Sequence, residues 1–557
     1  MANRRVGAPK ESTANGLATF SLHAKDEVSR TEVAALQAQP AAGGPVFGLA
    51  GDAQALDPET VARRYLDHAL GSAAVPGLVA PSADGTPSVF KSLGVESIPL
   101  TGTTMVKFRQ NFNNIPVYGS LVAVELDETH NLLAISSALG TPTGVNPIAK
   151  ISAADAIAVV KKHPGPAKDL GRIVPRLNFY FAKTKWRLVF ILEDVPVVPD
   201  TKGRSPVLMD YVVDAHTGKV VVALPRTPTV AAQESDKDGL GNSRTIEVDK
   251  SGATAFLKDP TLNVQTFDFK FRDPAVEYLS LPGVAIKNPP QFSPAAVSAH
   301  ANAEVVSTFL RSVLGRNNID NLGGLMSSSI NCVVQAQSLG GKDWINAFWN
   351  GQQMVYGQRK VGSGYLSLAV ALDVVGHEMM HGVTDRTSRL EYAFQPGALN
   401  ESYSDIFGVI IANQSNPTVG TWTWTIGAGL QQSGKPFRDM SNPPAYRQPD
   451  HMRDFRVLPN TDLGDWGGVH TNSGIHNKAA YNILTASQNG SPVIRPFEVA
   501  AMFYLALTQR LSRTSQFSDS RAAVLDSART LFRALPAPAL AEKIGAIAAA
   551  FDAVGIK

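Results

Sequence analysis

The spacing of hydrophobic positions changes several times along the chain, and each change predicts a different element. Residues 1–57 are Ala, Gly, Pro and polar side chains with little periodicity, which predicts a flexible lead or a short helix. Helical spacing appears at 59–70. Period-two alternation then marks strands at 104–110 and 121–126, so 58–145 reads as one α+β unit. A helix at 152–163, followed by strand-like runs at 177–181, 186–192, 210–215 and 220–222, defines a second small α+β module over 146–224. Residues 225–242 are polar and broken by Gly and Pro, the composition of a linker and a natural place for a maturation cut. Beyond it, 245–271 is strand-rich, 300–314 is helical, and the chain returns to strand from Cys332. From about 384 the spacing is largely helical, including 475–488, 497–511 and 518–531. The pattern predicts a mixed lobe over 243–383, a mainly helical lobe over 384–557, and a cleft between them.

One segment departs from amphipathic spacing. Residues 366–380 are apolar on most sides, which predicts a buried helix. At its end stand His377, Glu378 and His381. Histidines four residues apart lie on one helix face about one turn from each other, so both imidazoles can reach one metal ion. Glu378 can lean over the same ion and take a proton from water. Glu401 follows His381 by twenty residues and can return on a second helix as third ligand, leaving a fourth position open. Catalytic zinc is held this way, whereas structural zinc sites are usually closed and rich in cysteine. Two surface histidines meeting by accident would be the plainer explanation. The apolar flanks argue against it, because buried histidine and glutamate need partners.

The neighbouring residues exclude several zinc-peptidase classes. A metzincin has glycine three and histidine six residues after the second ligand, where this chain has Thr384 and Thr387. An inverzincin reverses the motif, and the Gly-x-Met-Glu-Asn segment of glutamate-ligand aminopeptidases is missing. The spacing to Glu401 instead resembles the thermolysin family of neutral metalloendopeptidases. Residues 343–351 and 354–357 look like that family's active-site edge strand, 400–408 like its third-ligand helix, and 467–475 like its catalytic-histidine segment. Residues 550–557 resemble its terminus, and the similarity runs in order over about 236–557. Residues 105–126, with Asn114-Ile115-Pro116-Val117-Tyr118-Gly119, resemble the propeptide of thermolysin and fungalysin precursors, and 146–224 looks like the module that completes it.

The resemblance implies an α+β fold: a thermolysin-like two-lobe peptidase preceded by an α+β propeptide that assists folding and blocks the cleft. It implies one catalytic Zn2+ held by His377, His381 and Glu401, with Glu378 as general base and proton shuttle. Asp405, one turn after Glu401, would hold a ligand imidazole, and Asn400 would do similar work. His470 and Tyr392 would donate to the oxyanion, with Asp465 orienting His470. Asn346 and the backbone of Ala347 would pair with extended peptide, and Arg438 would contact the carbonyl beyond the scissile bond. Leu368, Val374 and Phe437 would line an apolar pocket for the residue after that bond.

One departure from the family concerns calcium. Asp373 matches one acid of the family's double calcium site, but Ala412 stands where another would be. Residues 424–430 show Thr, Ala and Gly where the family has acids. Calcium wants six to eight oxygens, so the double site is expected to be lost.

Composition adds limits. The 557 residues carry a net charge of +3, which points to neither nucleic acid nor an anionic membrane. The single cysteine, Cys332, excludes intramolecular disulfides and reads as a buried strand residue. No apolar run is long enough to span a membrane. The family is usually secreted, yet 1–40 shows basic residues without an apolar core, so no signal peptide is recognisable and an intracellular location stays open. The expected partners are peptide and protein substrates and the chain's own propeptide. A non-catalytic scaffold is the competing class, and an aminopeptidase is disfavoured because no motif for gripping an α-amine is visible.

Overall fold

The computed structural model describes residues 10–11, 16–26, 29–38, 57–71, 75, 78–163, 166, 170–196, 208–225, 230–231, 240–251, 254–288 and 292–557. Its first sheet runs Leu17–His23, Leu132–Gly140, Leu121–Leu126, Thr103–Phe112 and Val89–Ile98, each antiparallel to the next. The helices Arg30–Ala38 and Pro58–Gly71 supply Val33, Leu36 and Leu66 to a core shared with Phe108, Val122 and Ile135. Leu17–His23 corrects the expected flexible lead. Phe20 and Leu22 enter that same core, but the residues between are Ala, Thr and Ser, which hide the alternation. Most of the remaining lead lies outside the described residues.

The second sheet is an antiparallel meander of Arg176–Ala182, Lys185–Pro196, Leu208–Asp214 and Val220–Pro225. Its helix, Ala153–Lys161, starts at Ser152, which forms a capping box with Asp155. Ala156 and Val160 from that helix pack with Leu188 and Tyr211. An isolated bridge between Val117 and Phe179 stitches the two sheets together.

The third sheet is mixed, in the order Val230–Ala231, Trp344–Trp349, Met354–Val361, Met326–Ile330, Val264–Asp268 and Lys258–Asp259. Helix Pro294–Ser312 is capped by Ser293 with proline in its first turn. It buries Ala299, Val306 and Leu310 in the main core. Cys332 is fully buried, but not in a strand. The strand Met326–Ile330 has already ended at Asn331, whose φ of 56° leaves the extended region.

The rest is built from the helices Phe394–Ala412, Asp465–Thr485, Pro496–Leu505, Phe517–Leu531 and Ala537–Ala553. Between the first two, 413–464 is mostly irregular, with short 3-10 turns and one two-stranded antiparallel pair, Thr425–Ile426 with Arg438–Asp439. Helical spacing from 384 onward therefore overstated that stretch. Pro417, Pro436, Pro443, Pro444, Pro449 and Pro459 remove amide donors along it and keep a helix from propagating. Among the described residues no helix is long and apolar enough to cross a membrane.

The main core joins the mixed and helical lobes and also takes in Ile98, Met105 and Ala123 from the first sheet. Ion pairs line the rest of that seam. Arg513 meets Glu193 and Asp210, Arg389 meets Glu193 and Asp194, and Arg510 meets Glu125. Arg529 and Arg533 reach Asp26 and Glu128. In these pairs the arginines belong to the C-terminal part of the chain and the carboxylates to the strands and turns of the first two sheets' region.

Candidate active site

Two helices carry the chemistry, and two glycines let them touch. A Cβ on Gly376 of helix Leu372–Asp385 would lie 3.2 Å from the Gly408 Cα, and one on Gly408 would lie 2.6 Å from the Asp373 carbonyl oxygen. Any side chain at Gly408 would force apart the helices that bring His377, His381 and Glu401 together. Leu372–Asp385 is buried all round from Asp373 to Thr384, as apolar spacing predicts, but the expected helix over 366–380 starts late, since Gly364–Ser367 is a strand and Leu368–Val370 a 3-10 turn.

His377 and His381 face each other through their Nε2 atoms, 2.9 Å apart. Glu401 closes the third side, with Oε2 3.6 Å from His377 Nε2 and Oε1 3.4 Å from His381 Nε2. The other ring nitrogens are occupied. His377 Nδ1 lies 2.9 Å from Asp405 Oδ1, and His381 Nδ1 lies 2.8 Å from Asn400 Oδ1 and 3.1 Å from Ser404 Oγ. These contacts turn both Nε2 lone pairs toward one point. Glu401 Oε2 is buried without a hydrogen-bond partner, and the three ligand atoms lie within 4.8 Å of one another. Two imidazoles and a carboxylate converging on an orphaned oxygen fit a tetrahedral divalent cation such as zinc.

The electrostatics suit a cation as well. Burial pushes the Glu378 carboxyl well above its usual range, and the Glu401 charge adds to it. Its Oε2 accepts from the Trp349 backbone N–H at 3.0 Å, while Oε1 is buried without a partner. A cation beside it would pull the proton off again. Burial also opposes charge on Asp405, but Arg438 and His377 outweigh it and hold that carboxyl below the usual range. Arg438 donates to Asp405 through Nε at 2.8 Å and Nη2 at 2.7 Å, and Asn477 Nδ2 donates at 2.9 Å.

Tyr392 and His470 both approach the triad at Glu401. Tyr392 donates its hydroxyl to Glu401 Oε1, and His470 Nε2 lies 3.2 Å from that hydroxyl. Asp465 Oδ1 lies 2.5 Å from His470 Nδ1. Burial alone would lower the His470 pKa, but Glu401 and Asp465 outweigh it and raise it to about 9. Helix Asp465–Thr485 opens out of helical geometry, with φ of 49°, 84° and 87° at Trp466, Gly467 and Gly468. A Cβ on Gly467 would meet the Phe394 ring at 2.4 Å, so glycine is needed there on both counts.

The expected substrate-side residues are also near. Asn346 and Ala347 lie on the strand Trp344–Trp349, which exchanges pairs with Val230–Ala231: Val230 opposite Ala347, and Ala231 opposite Asn346. Leu368, Val374 and Phe437 are all buried in the main core, flanking the start of the ligand helix and Arg438. Asp373, matched above to a calcium ligand, accepts from the backbone N–H of Val374 at 2.7 Å and Gly427 at 2.9 Å. Ser404 and Asn477 were not read from the sequence. Their signal was helical phase: Ser404 lies one turn after Asn400, and Asn477 two turns after His470.

Comparison with known proteins accords with this geometry. Residues 233–385 match the thermolysin metallopeptidase catalytic domain, 388–556 its alpha-helical domain, and 90–139 the fungalysin/thermolysin propeptide motif. Bacillolysin of Bacillus amyloliquefaciens is 33% identical over 463 residues, 80% of this chain and 81% of that protein. Neutral protease NprE of Bacillus pumilus is 41% identical over 262 residues, 47% of this chain and 77% of that one. The solved precursor of protealysin, a metalloproteinase from Serratia proteamaculans, aligns with a TM-score of 0.44 at 30% identity, covering 53% of this chain and 87% of that chain. The chain belongs to the thermolysin metallopeptidase family and is the precursor of a zinc endopeptidase.

Proposed function

We propose that the enzyme cleaves peptide bonds with Glu378 as general base and is held latent by its own N-terminal region. The observation that carries the catalytic reading is Glu378 itself, buried beside the ligand triad with Oε1 unpartnered. A zinc ion held by His377, His381 and Glu401 would polarise a peptide carbonyl and acidify water there. Glu378 takes the proton from the attacking water and later delivers it to the leaving amine. Tyr392 Oη and His470 Nε2 donate to the oxyanion, and Asp465 keeps His470 oriented and protonated. Asp405 and Asn400 hold the ligand imidazoles. Asn346 and Ala347 receive extended substrate by strand pairing, and Arg438 uses Nη1 for the carbonyl beyond the scissile bond. Glu378→Gln should retain zinc, measured by metal analysis, while turnover of a casein-type substrate falls about a thousandfold or more. Retained turnover would refute this mechanism, and chelator-insensitive turnover would refute the metal.

Latency rests on the strand Val230–Ala231. It lies in the linker and covers the Asn346–Ala347 edge that substrate would use. We therefore read the linker as occupying the cleft before it is cut. Expressing 236–557 alone tests the wider role: efficient folding to full activity would remove the need for the N-terminal region as a folding aid. The apolar Leu368, Val374 and Phe437 support a preference for Leu, Ile, Val or Phe after the cleaved bond, which a peptide series would read as kcat/KM.

Two further readings belong to the same proposal. Asp373 is engaged by backbone amides, which supports loss of the double calcium site. A large chelator-reversible rise in melting temperature with calcium, beyond the zinc effect, would overturn that. Activity in the medium is expected if the enzyme works outside the cell, and activity confined to cells would count against export.

A further inference from the structure

A cavity of about 330 Å³ lies where the two N-terminal sheets meet each other and the peptidase. Lys107 and Arg109 enter it from the strand Thr103–Phe112, and Arg176 from the first residue of Arg176–Ala182. Arg389 and Arg513 close it from the peptidase side. Glu193 is the one carboxylate among the described lining residues, and Glu96, Asp194 and Asp210 reach the same cations from outside the lining.

Three of the five cations have acid partners. Lys107 Nζ is 3.6 Å from Glu96, Arg389 Nη1 is 3.7 Å from Glu193, and Arg513 Nη2 is 2.6 Å from Asp210. Arg109 and Arg176 form no ion pair among the described residues. The Nε atoms of Arg109, Arg389 and Arg513 are buried without hydrogen-bond partners. Burial, and then the neighbouring Arg176 charge, hold the Arg109 pKa below the usual guanidinium value, with Glu193 opposing. Like charges have been gathered in a partly desolvated space where one more anion would relieve them.

The geometry points to an anion site that takes one small tetrahedral oxyanion, phosphate or sulfate, between Arg109 and Arg176, braced across the seam by Arg389 and Arg513. Guanidinium forks match such oxyanions in charge and planar geometry. The volume lies at the low end for ligand pockets, room for an oxyanion with its waters. Arg176 is exposed, so its side leaves a way in from solvent. Because the lining comes from both sides of the seam, the site exists only while the N-terminal region is seated. A bound oxyanion therefore favours the latent form by mass action.

The test is binding, read without turnover. The full-length, zinc-loaded chain carrying Glu378→Gln is titrated calorimetrically with inorganic phosphate and, separately, sulfate. Ionic strength is held constant with sodium chloride, and the tighter of the two names the ligand. Saturable one-to-one binding is expected, weakened at least tenfold by Arg109→Gln and by Arg176→Gln and unchanged by Arg453→Gln at a distant exposed arginine. Arg176→Gln keeps the test valid if Arg109→Gln misfolds, since its side chain is exposed. Absence of saturable binding by either anion, survival of binding within threefold in Arg176→Gln, or equal weakening by Arg453→Gln would each overturn the site. Loss of the peptidase mechanism would leave this result untouched.

Discussion

Arg438 is buried and Arg513 half-buried, and both are gripped by carboxylates, yet they sit in regions with opposite requirements. Arg438 is forked onto Asp405, and both belong to the helical lobe, one of them on the helix that bears Glu401. Arg513 is held by Glu193 and Asp210, which belong to the second sheet and lie across the seam. The first cluster must survive maturation intact, and its charges are satisfied within one lobe. In the proposed maturation the second comes apart when the N-terminal region leaves, and its charges are shared between the two parts. Buried ion pairs add little net stability over apolar packing, but removing one member leaves a stranded charge. The same physics therefore fixes a site in one place and makes an assembly reversible in the other.

The contrast breaks most sharply at Asp405. Asp405→Asn should cost about 3 kcal/mol or more of stability in both precursor and mature enzyme, because it strands Arg438. It should also weaken zinc about 10–100-fold through the loosened His377 ring. Urea unfolding and zinc competition read the two effects, and an unchanged zinc affinity would separate Asp405 from the metal. Arg513→Gln should cost about 2 kcal/mol in the precursor, discounted for partial exposure of that side chain. In the mature enzyme the same change should stay within about 0.5 kcal/mol, and equal losses in both forms would erase the distinction.

Titration sharpens the seam further, because two of its groups oppose each other. Burial raises the Glu391 pKa from 4.5 to about 7, despite the nearby Arg513 charge, with Tyr118, Tyr180 and Asp210 also around it. Its contribution is complete below the unfolded value and is lost as pH rises through about 7. Burial lowers the His23 pKa to about 4, against Asp526 and Glu125 and alongside Arg510 and Arg529. That contribution is complete above 6.5 and is lost as pH falls through about 4. Each effect amounts to at most about 3 kcal/mol. Relative to the parent precursor, Glu391→Gln should gain stability as pH rises from 5 to 8, and His23→Gln as it falls from 6.5 to 4.5. Parallel unfolding curves would show that neither group is buried at the seam. At the rim, Arg533→Gln should cost under about 1 kcal/mol, since Glu128 is exposed. A larger loss would mean that the rim pairs act as a network.

What the sequence made legible follows from distance along the chain. His377, His381, Glu401 and Asp405 sit on two neighbouring helices, so their spacing encodes their geometry. Arg513 and Glu193 are 320 residues apart, and no periodicity announces that pair. The strand Leu17–His23 escaped because its outward residues are Ala, Thr and Ser, neither clearly polar nor clearly apolar. The irregular 413–464 stretch escaped because its order comes from side-chain-to-backbone bonds, such as Asn413 Nδ2 to the Thr423 carbonyl at 3.0 Å, which leave no repeating pattern.

Tyr392, proposed above as an oxyanion donor, and Asp465, proposed to orient the other donor, have neighbours that belong to another part of the molecule. Ala393, next to Tyr392, is fully buried in a cluster with Tyr118, Tyr180 and Val212, and Trp466, next to Asp465, packs against the core of the second sheet. On the proposed maturation route, cutting the linker releases the strand over Asn346–Ala347 but leaves both neighbours clamped. Only departure of the severed region frees them, so cleavage and competence become separate events on the clock. Between them this proposed route places an intermediate with an open cleft and a Tyr392–His470 pair still set to its former tenant.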